Sequence, residues 1–146
     1  MSDFKLDGRK WKFLNDPKQY AKDGDLIVEP LKRQFRTAKE ILKRFQDGRG
    51  VLLADDVGLG KTTIGALVAW AVACQGKQVR IYVPNEVLRR RWAEELEKHV
   101  PMLEGFGARE ESIKQGNVKK LNAGSIQVAT HHGLVKLGGI EQKTTR

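Results

Sequence analysis

The chain has 146 residues, of which 40% are hydrophobic, and this is enough apolar material for one core of ordinary size. Its net charge of +9 favours a polyanionic partner such as nucleic acid, although a well solvated basic surface is an equal alternative. The single cysteine, Cys74, excludes an internal disulfide and a thiolate zinc cluster. The longest apolar run, residues 64–74, is too short to span a bilayer, so no membrane partner is expected.

Residues 1–30 mix aromatic and charged residues without a sustained period, which predicts an irregular arm with a short extended piece at 26–28. From Pro30 onward apolar residues recur every three to four positions, which predicts an amphipathic helix ending near Asp47 and Gly48. Gln34 falls at the edge of the apolar stripe, where a solvated boundary glutamine is the ordinary interpretation. The opposite face is basic and carries Lys32, Arg36, Lys39 and Lys43.

The next elements alternate between strand and helix. Residues 51–54 form a continuous apolar run that predicts a buried strand, and a helix that is apolar nearly all round is predicted to begin at Lys61. A second strand is predicted at 79–83, followed by a helix capped by Asn85. A third strand is predicted at 125–129 and a short helix at 132–137. This alternation predicts an α/β fold with a parallel sheet.

A candidate phosphate-binding loop joins the first predicted strand to the helix at Lys61. Gly58 and Gly60 would let backbone N–H groups approach a phosphate at the helix N-terminus. Lys61 would then contact the β and γ phosphates, and the Thr62 hydroxyl would bind Mg²⁺. Asp55 occupies the position at which the strict phosphate-loop pattern has glycine. The prediction of phosphate binding therefore depends also on the loop's position between a predicted buried strand and an apolar helix. Thr63 is an additional candidate, with a structural role in the helix as its alternative.

The run Leu53-Ala54-Asp55-Asp56-Val57-Gly58-Leu59-Gly60-Lys61-Thr62 resembles motif I of the Swi/Snf-type ATPases of helicase superfamily two. That family commonly has Glu after the aspartate, whereas this chain has Asp56. The resemblance implies an incomplete RecA-like lobe over residues 31–146, ATP and Mg²⁺ as cofactors, and ATP-driven movement on double-stranded DNA. It also implies that nucleotide contacts come from Asp56, Gly58, Leu59, Gly60, Lys61, Thr62 and Thr63.

Other segments resemble further motifs of the same family. The run Leu31-Lys32-Arg33-Gln34 is similar to the element whose glutamine reads adenine, so the resemblance assigns that role to Gln34. Residues 82–88 with 91–96 look like motif Ia and the helix after it, and residues 128–134 resemble motif Ib. Both motifs face the DNA backbone in the family. The resemblance therefore gives these candidates for DNA contact: Asn85, Arg89, Arg90, Thr130 and His131.

Hydrolysis in such motors needs a strand ending in Asp-Glu and an arginine finger from a second RecA-like lobe. No such strand follows the segment that resembles motif Ib, and the second lobe with its arginine finger is also missing. We therefore expect the chain to be a fragment, truncated before the Walker B strand, that does not turn over ATP alone. We expect the whole protein to work inside the cell, in a bacterial cytoplasm or a eukaryotic nucleus. The alternative is a stand-alone module that binds nucleotide or nucleic acid without turnover.

Several polar residues have ordinary structural alternatives. Arg90 and Glu94, and likewise Arg91 and Glu95, are spaced to form surface ion pairs on a helix. Trp92 falls in line with the apolar face of its helix and is predicted to pack in the core. His99 lies in the last turn, where a charged imidazole is favourable.

Overall fold

The computed structural model describes residues 5–15, 28–51, 61–116 and 120–130. These residues form three helices, α1 (Val28–Gln46), α2 (Lys61–Ala73) and α3 (Glu86–Leu103), and three strands, β1 (Val79–Val83), β2 (Ile113–Gln115) and β3 (Ile126–Thr130). Shorter 3-10 helices span Gly8–Asn15, Glu104–Phe106 and Glu110–Ser112. Of the strand predicted at 51–54, Val51 is described and lies in neither a strand nor a helix, and residues 52–54 lie outside the described residues. The glycine loop and the predicted helix at 132–137 also lie outside them.

The sheet is parallel and has the order β1-β3-β2. Val79 pairs with Ile126 at one end of β1, and Val83 pairs with Thr130 at the other. On the far side of β3, Ile113 pairs with Ile126. A parallel sheet with helices packed on it is a partial RecA-like arrangement, as the alternation of elements predicted.

Helix α2 lies in the middle of the core. Its residues Ile64, Ala66, Leu67 and Trp70 are buried, and it packs against α1, α3 and the sheet. Because it is surrounded, it has no polar face, and its sequence is apolar on every side. The helix begins at Lys61 as predicted, and its connection to β1 turns at Gly76, which has a φ of 80°.

Helix α3 begins after Asn85, as predicted. Asn85 caps it, since its side-chain oxygen accepts a hydrogen bond of 2.9 Å from the backbone N–H of Leu88. The helix continues through Pro101 to Leu103. A proline in the last turn removes one backbone hydrogen bond, and the burial of Val100 and Leu103 against the core favours continuing the helix past it.

The N-terminal segment contributes to the core. Residues predicted to be irregular form the 3-10 helix Gly8–Asn15, which is kinked at Trp11 and buries Trp11, Phe13 and Leu14. Two hydrogen bonds hold the segment before it: Gln46 donates to the Leu6 carbonyl at 3.0 Å, and the Asp7 N–H donates to Gln75 at 2.7 Å. The expectation of an extended piece at 26–28 is wrong for Val28, because α1 begins there.

Two sheet features were not predicted. Strand β2 has three residues, too few for an alternating pattern to be recognised. The side chain of Gln127 in β3 is fully buried, donates to the Gly116 carbonyl at 2.7 Å and accepts from Arg80. A buried amide must find such partners, and here they join all three strands.

A close contact between α2 and α3 gives a stability prediction. A Cβ at Gly65 would lie 2.4 Å from Cη2 and 2.9 Å from Cζ3 of Trp92. Crowding a packed core costs about 1–3 kcal/mol, while alanine gains about 1 kcal/mol over glycine in a helix. We expect Gly65→Ala to lower the free energy of unfolding by about 1 kcal/mol in urea titrations.

The matched test uses the Trp92→Leu background, in which the ring is gone. There Gly65→Ala is expected to stabilise the protein, because its helix propensity is no longer opposed. Equal effects of Gly65→Ala in both backgrounds would show that the ring does not set the cost.

Candidate nucleotide site and carboxyl edge of the sheet

The candidate nucleotide site is the first turn of α2. Lys61, Thr62 and Thr63 open this helix and are partly buried. The first N–H groups of a helix have no acceptor within it, so they are available to an anion in front of the helix. The remaining predicted contacts, Asp56, Gly58, Leu59 and Gly60, lie outside the described residues.

Thr63 is connected to α3. Its hydroxyl lies 3.5 Å from Oε1 of Glu95, whose Oε2 is 2.7 Å from Nε2 of His99 and 3.6 Å from Nζ of Lys98. Thr63 was predicted to contact nucleotide or to be structural, and this contact gives it a structural role between two helices. Glu95 was considered only as a surface partner of Arg91, because its position on α3 does not show that it faces α2.

The sheet brings two DNA-facing candidates to one edge. Asn85 follows the carboxyl end of β1, and Thr130 ends β3, where it pairs with Val83. Parallel strands place both at the same edge, where open α/β sheets bind their ligands. Asn85 already accepts the capping hydrogen bond from Leu88, and His131 lies outside the described residues.

The arginines of α3 differ in their surroundings. The Arg89 side chain is 18% exposed, forms an ion pair with Glu86 at 2.6 Å and donates to Gln115. The hydrogen bond from Arg89 to Glu86 lowers the pKa of Glu86. The hydrogen bond from Arg89 to Gln115 connects α3 to the end of β2. Arg90 is exposed. Among the described residues, the ion pairs of α3 are Arg89 with Glu86 and Lys98 with Glu95. The alternative pairs Arg90–Glu94 and Arg91–Glu95 are not formed.

Comparison with known proteins establishes the family. The model of the SNF2-related domain matches residues 32–144, which include most of α1, all of α2 and the carboxyl edge of the sheet. The chain belongs to the SNF2-related domain family. This confirms the resemblance to the helicase superfamily two ATPases.

Two relatives are similar over part of the chain. The ATP-dependent DNA helicase RecG of Pasteurella multocida is 36% identical over 89 residues, which are 55% of this chain and 13% of RecG. The transcription-repair-coupling factor of Bacillus subtilis is 31% identical over 112 residues, which are 70% of this chain and 10% of that protein. The chain therefore matches about a tenth of the length of these relatives. No solved structure matches it.

In this SNF2-related domain, Gln34 and the basic residues occupy different sides of α1. Gln34 is partly buried, and it lies about 140° to 180° around the helix from Arg36, Lys39 and Lys43 at roughly 100° per residue. The predicted adenine contact and the basic face are therefore separated by the body of the helix.

The described residues limit where a divalent ion could bind. Within them, no group of three His, Cys, Asp or Glu side chains could hold a metal ion. Mg²⁺ prefers few protein ligands together with phosphate oxygens and water, so the single hydroxyl of Thr62 fits an ion that arrives with a nucleotide. None of the described helices is long and apolar enough to cross a membrane.

His99 does not carry the charge that a position near a helix end would favour. The side chain is 2% exposed, and burial lowers the pKa of His99 to about 4. The neutral imidazole donates its Nε2 proton to Glu95. Burial overrides the helix dipole here because removing a charge from water costs more than the dipole returns.

This shift predicts a pH dependence of stability. The pKa of His99 is about 4 in the folded protein and about 6.5 in the unfolded chain. The stability that comes from keeping His99 neutral is therefore present above pH 6.5, and it is lost at lower pH because the unfolded chain binds a proton there. Between pH 7 and pH 5, above the range of most carboxylates, we expect a loss of about 2 kcal/mol in the free energy of unfolding.

The His99→Gln variant provides the comparison, since its amide can donate to Glu95 but does not titrate in this range. Denaturant unfolding at pH 7, 6 and 5 should show a flatter profile for the variant. A profile as steep as that of the wild type would rule out His99 as the titrating group.

Proposed function

We propose that this chain is the ATP-binding part of the first motor lobe of a DNA-dependent ATPase, which couples ATP hydrolysis to movement on duplex DNA. The observation that carries the proposal is the start of α2 at Lys61, directly after Gly58-Leu59-Gly60, in a chain of the SNF2-related family. A glycine loop followed by a buried helix is the arrangement that phosphate binding requires.

In this proposal each residue of the site has one role. Lys61 contacts the β and γ phosphates, the Thr62 hydroxyl binds the accompanying Mg²⁺, and Gln34 hydrogen-bonds the adenine edge. Bound ATP·Mg²⁺ supplies the phosphoryl group whose hydrolysis drives the motor. Thr63 supports the site from behind, because its hydroxyl is directed to Glu95 on α3.

The proposed DNA contact lies at the carboxyl edge of the sheet. Asn85, Arg89, Arg90, Thr130 and His131 are the candidates, and backbone contacts by such residues would be weak and independent of sequence. Asn85 and Arg89 also hold α3 in place, whereas Arg90 is exposed. A motor of this kind works where DNA is present, in a bacterial cytoplasm or a eukaryotic nucleus.

Binding and turnover are separable in this proposal. A water-orienting acid after the motif Ib region and the arginine finger of a second lobe are needed for hydrolysis, and residues 1–146 supply neither by sequence. These residues are therefore proposed to bind ATP without DNA-stimulated turnover. Phosphate release by the isolated chain on addition of DNA would contradict this division of labour.

The role of Lys61 gives a binding prediction. Replacing it with alanine removes a charge-assisted contact of about 1.5–3 kcal/mol, so the affinity for ATP·Mg²⁺ should fall roughly ten-fold to a hundred-fold in calorimetric titrations. Lys120→Ala is the control, because Lys120 is exposed on a loop and its replacement removes the same charge. A similar loss in both variants would indicate a general charge effect and not a phosphate contact.

The role of Gln34 gives a second prediction. Gln34→Ala should lower the affinity for ATP·Mg²⁺ several-fold and leave the affinity for inorganic triphosphate unchanged, because only ATP has an adenine edge. Competition titrations against a fluorescent nucleotide measure the ratio of the two affinities in the wild type and in the variant. Equal weakening of both ligands would mean that Gln34 supports the fold of the site and does not read the base.

A further inference from the structure

The structure contains a groove on the far side of α1 from Gln34. It lies between α1 and the 3-10 helix Gly8–Asn15 and has a volume of about 340 Å³. Its floor is apolar and its rim is polar; the residues that line it include Leu14, Asn15, Phe35, Arg36, Lys39 and Lys43. We propose that this groove binds the phosphate backbone of DNA, as a surface separate from the carboxyl edge of the sheet.

The charges of the groove are aligned along the helix. Lys32, Arg36, Lys39 and Lys43 all line it and fall within an arc of about 60° at roughly 100° per residue. At about 1.5 Å per residue they extend over roughly 16 Å. A row of cations of this length matches several consecutive charges of an extended polyanion better than one small anion.

One acidic residue reduces this charge only slightly. Glu40 lies on the rim, and its carboxylate is 3.8 Å from Nζ of Lys43. Both side chains are about 60% exposed, and an exposed pair at that distance is weak. An incoming phosphate can therefore take the place of Glu40 beside Lys43 at little cost.

The second wall of the groove holds one of these cations in place. Nζ of Lys39 donates a hydrogen bond of 2.6 Å to Oδ1 of Asn15, at the end of the 3-10 helix. An ammonium has three donors, so two remain for a phosphate, and the Asn15 amide group adds further N–H donors beside it. The sequence could not show this, because Asn15 and Lys39 are 24 residues apart.

The choice of DNA as the polyanion rests on the proposed function, whereas the groove itself does not. An acidic protein segment is the other polyanion that such a groove could accept. DNA is favoured because the chain belongs to the SNF2-related family and because the groove presents a regular row of positive charges.

The experiment compares two double variants of the whole chain with the same loss of charge. Arg36→Gln with Lys39→Gln removes cations inside the groove. Arg33→Gln with Arg44→Gln removes exposed cations of the same helix that do not line it. Fluorescence anisotropy with an unrelated duplex at four salt concentrations gives the slope of log affinity against log salt.

The groove variant should reduce the magnitude of that slope by about 1.8, since each lost phosphate contact contributes about 0.9. The control variant should change it by less than half as much, and the charge-conserving exchange Arg36→Lys with Lys39→Arg should keep the wild-type slope. Circular dichroism confirms that each variant is folded.

Equal slopes for the groove and control variants would overturn the proposal, because the charge effect would then be diffuse. A groove variant that loses binding to polyglutamate but not to DNA would also overturn it and assign the groove to an acidic protein. ATP·Mg²⁺ affinity of the groove variant should equal that of the wild type. Failure of Lys61→Ala to affect ATP would instead count against the proposed function and leave the groove untouched.

Discussion

The contact between α2 and α3 determines where the candidate site residues lie. The Trp92 ring covers Gly65, the Trp70 indole N–H donates to the Leu96 carbonyl at 3.0 Å, and the Thr63 hydroxyl faces Glu95. These contacts join residues 63–70 of α2 to residues 92–96 of α3. They fix the first turn of α2 against the middle of α3, and therefore fix Lys61 relative to the helix that begins at the carboxyl edge of the sheet.

The absence of a side chain at Gly65 is what allows this approach. A tryptophan ring is large and flat, and it contributes much apolar surface when it lies directly on a helix backbone. The hydrogen bond of Trp70 to the Leu96 carbonyl is buried, which strengthens it and makes its loss costly. In this environment His99 is neutral, and Glu95 is kept in position by partners on both helices.

The N-terminal segment connects the core to the basic surface. Trp11, Phe13 and Leu14 are buried against the rest of the protein, and the rings of Phe13 and Phe106 lie 5.3 Å apart. This packing places Asn15 beside α1. One short segment thereby closes the hydrophobic core and forms a wall of the groove, so α1 has the core on one side and a confined row of cations on another.

The class of fold, two of the strands, the starts of α2 and α3 and the family could be predicted from the sequence, because these depend on local periods, caps and a contiguous motif. The sequence also placed Gln34 away from the basic face, since helical spacing fixes angles around one helix. Tertiary structure alone decided the burial of the segment before α1, the short strand β2 and the partners of Glu95, Arg89 and Gln127. It also made His99 neutral. These features depend on contacts between elements that are distant in the chain. The partner, the burial and the pKa of a side chain are set by the groups that lie opposite it in space, and a local sequence pattern does not contain that information.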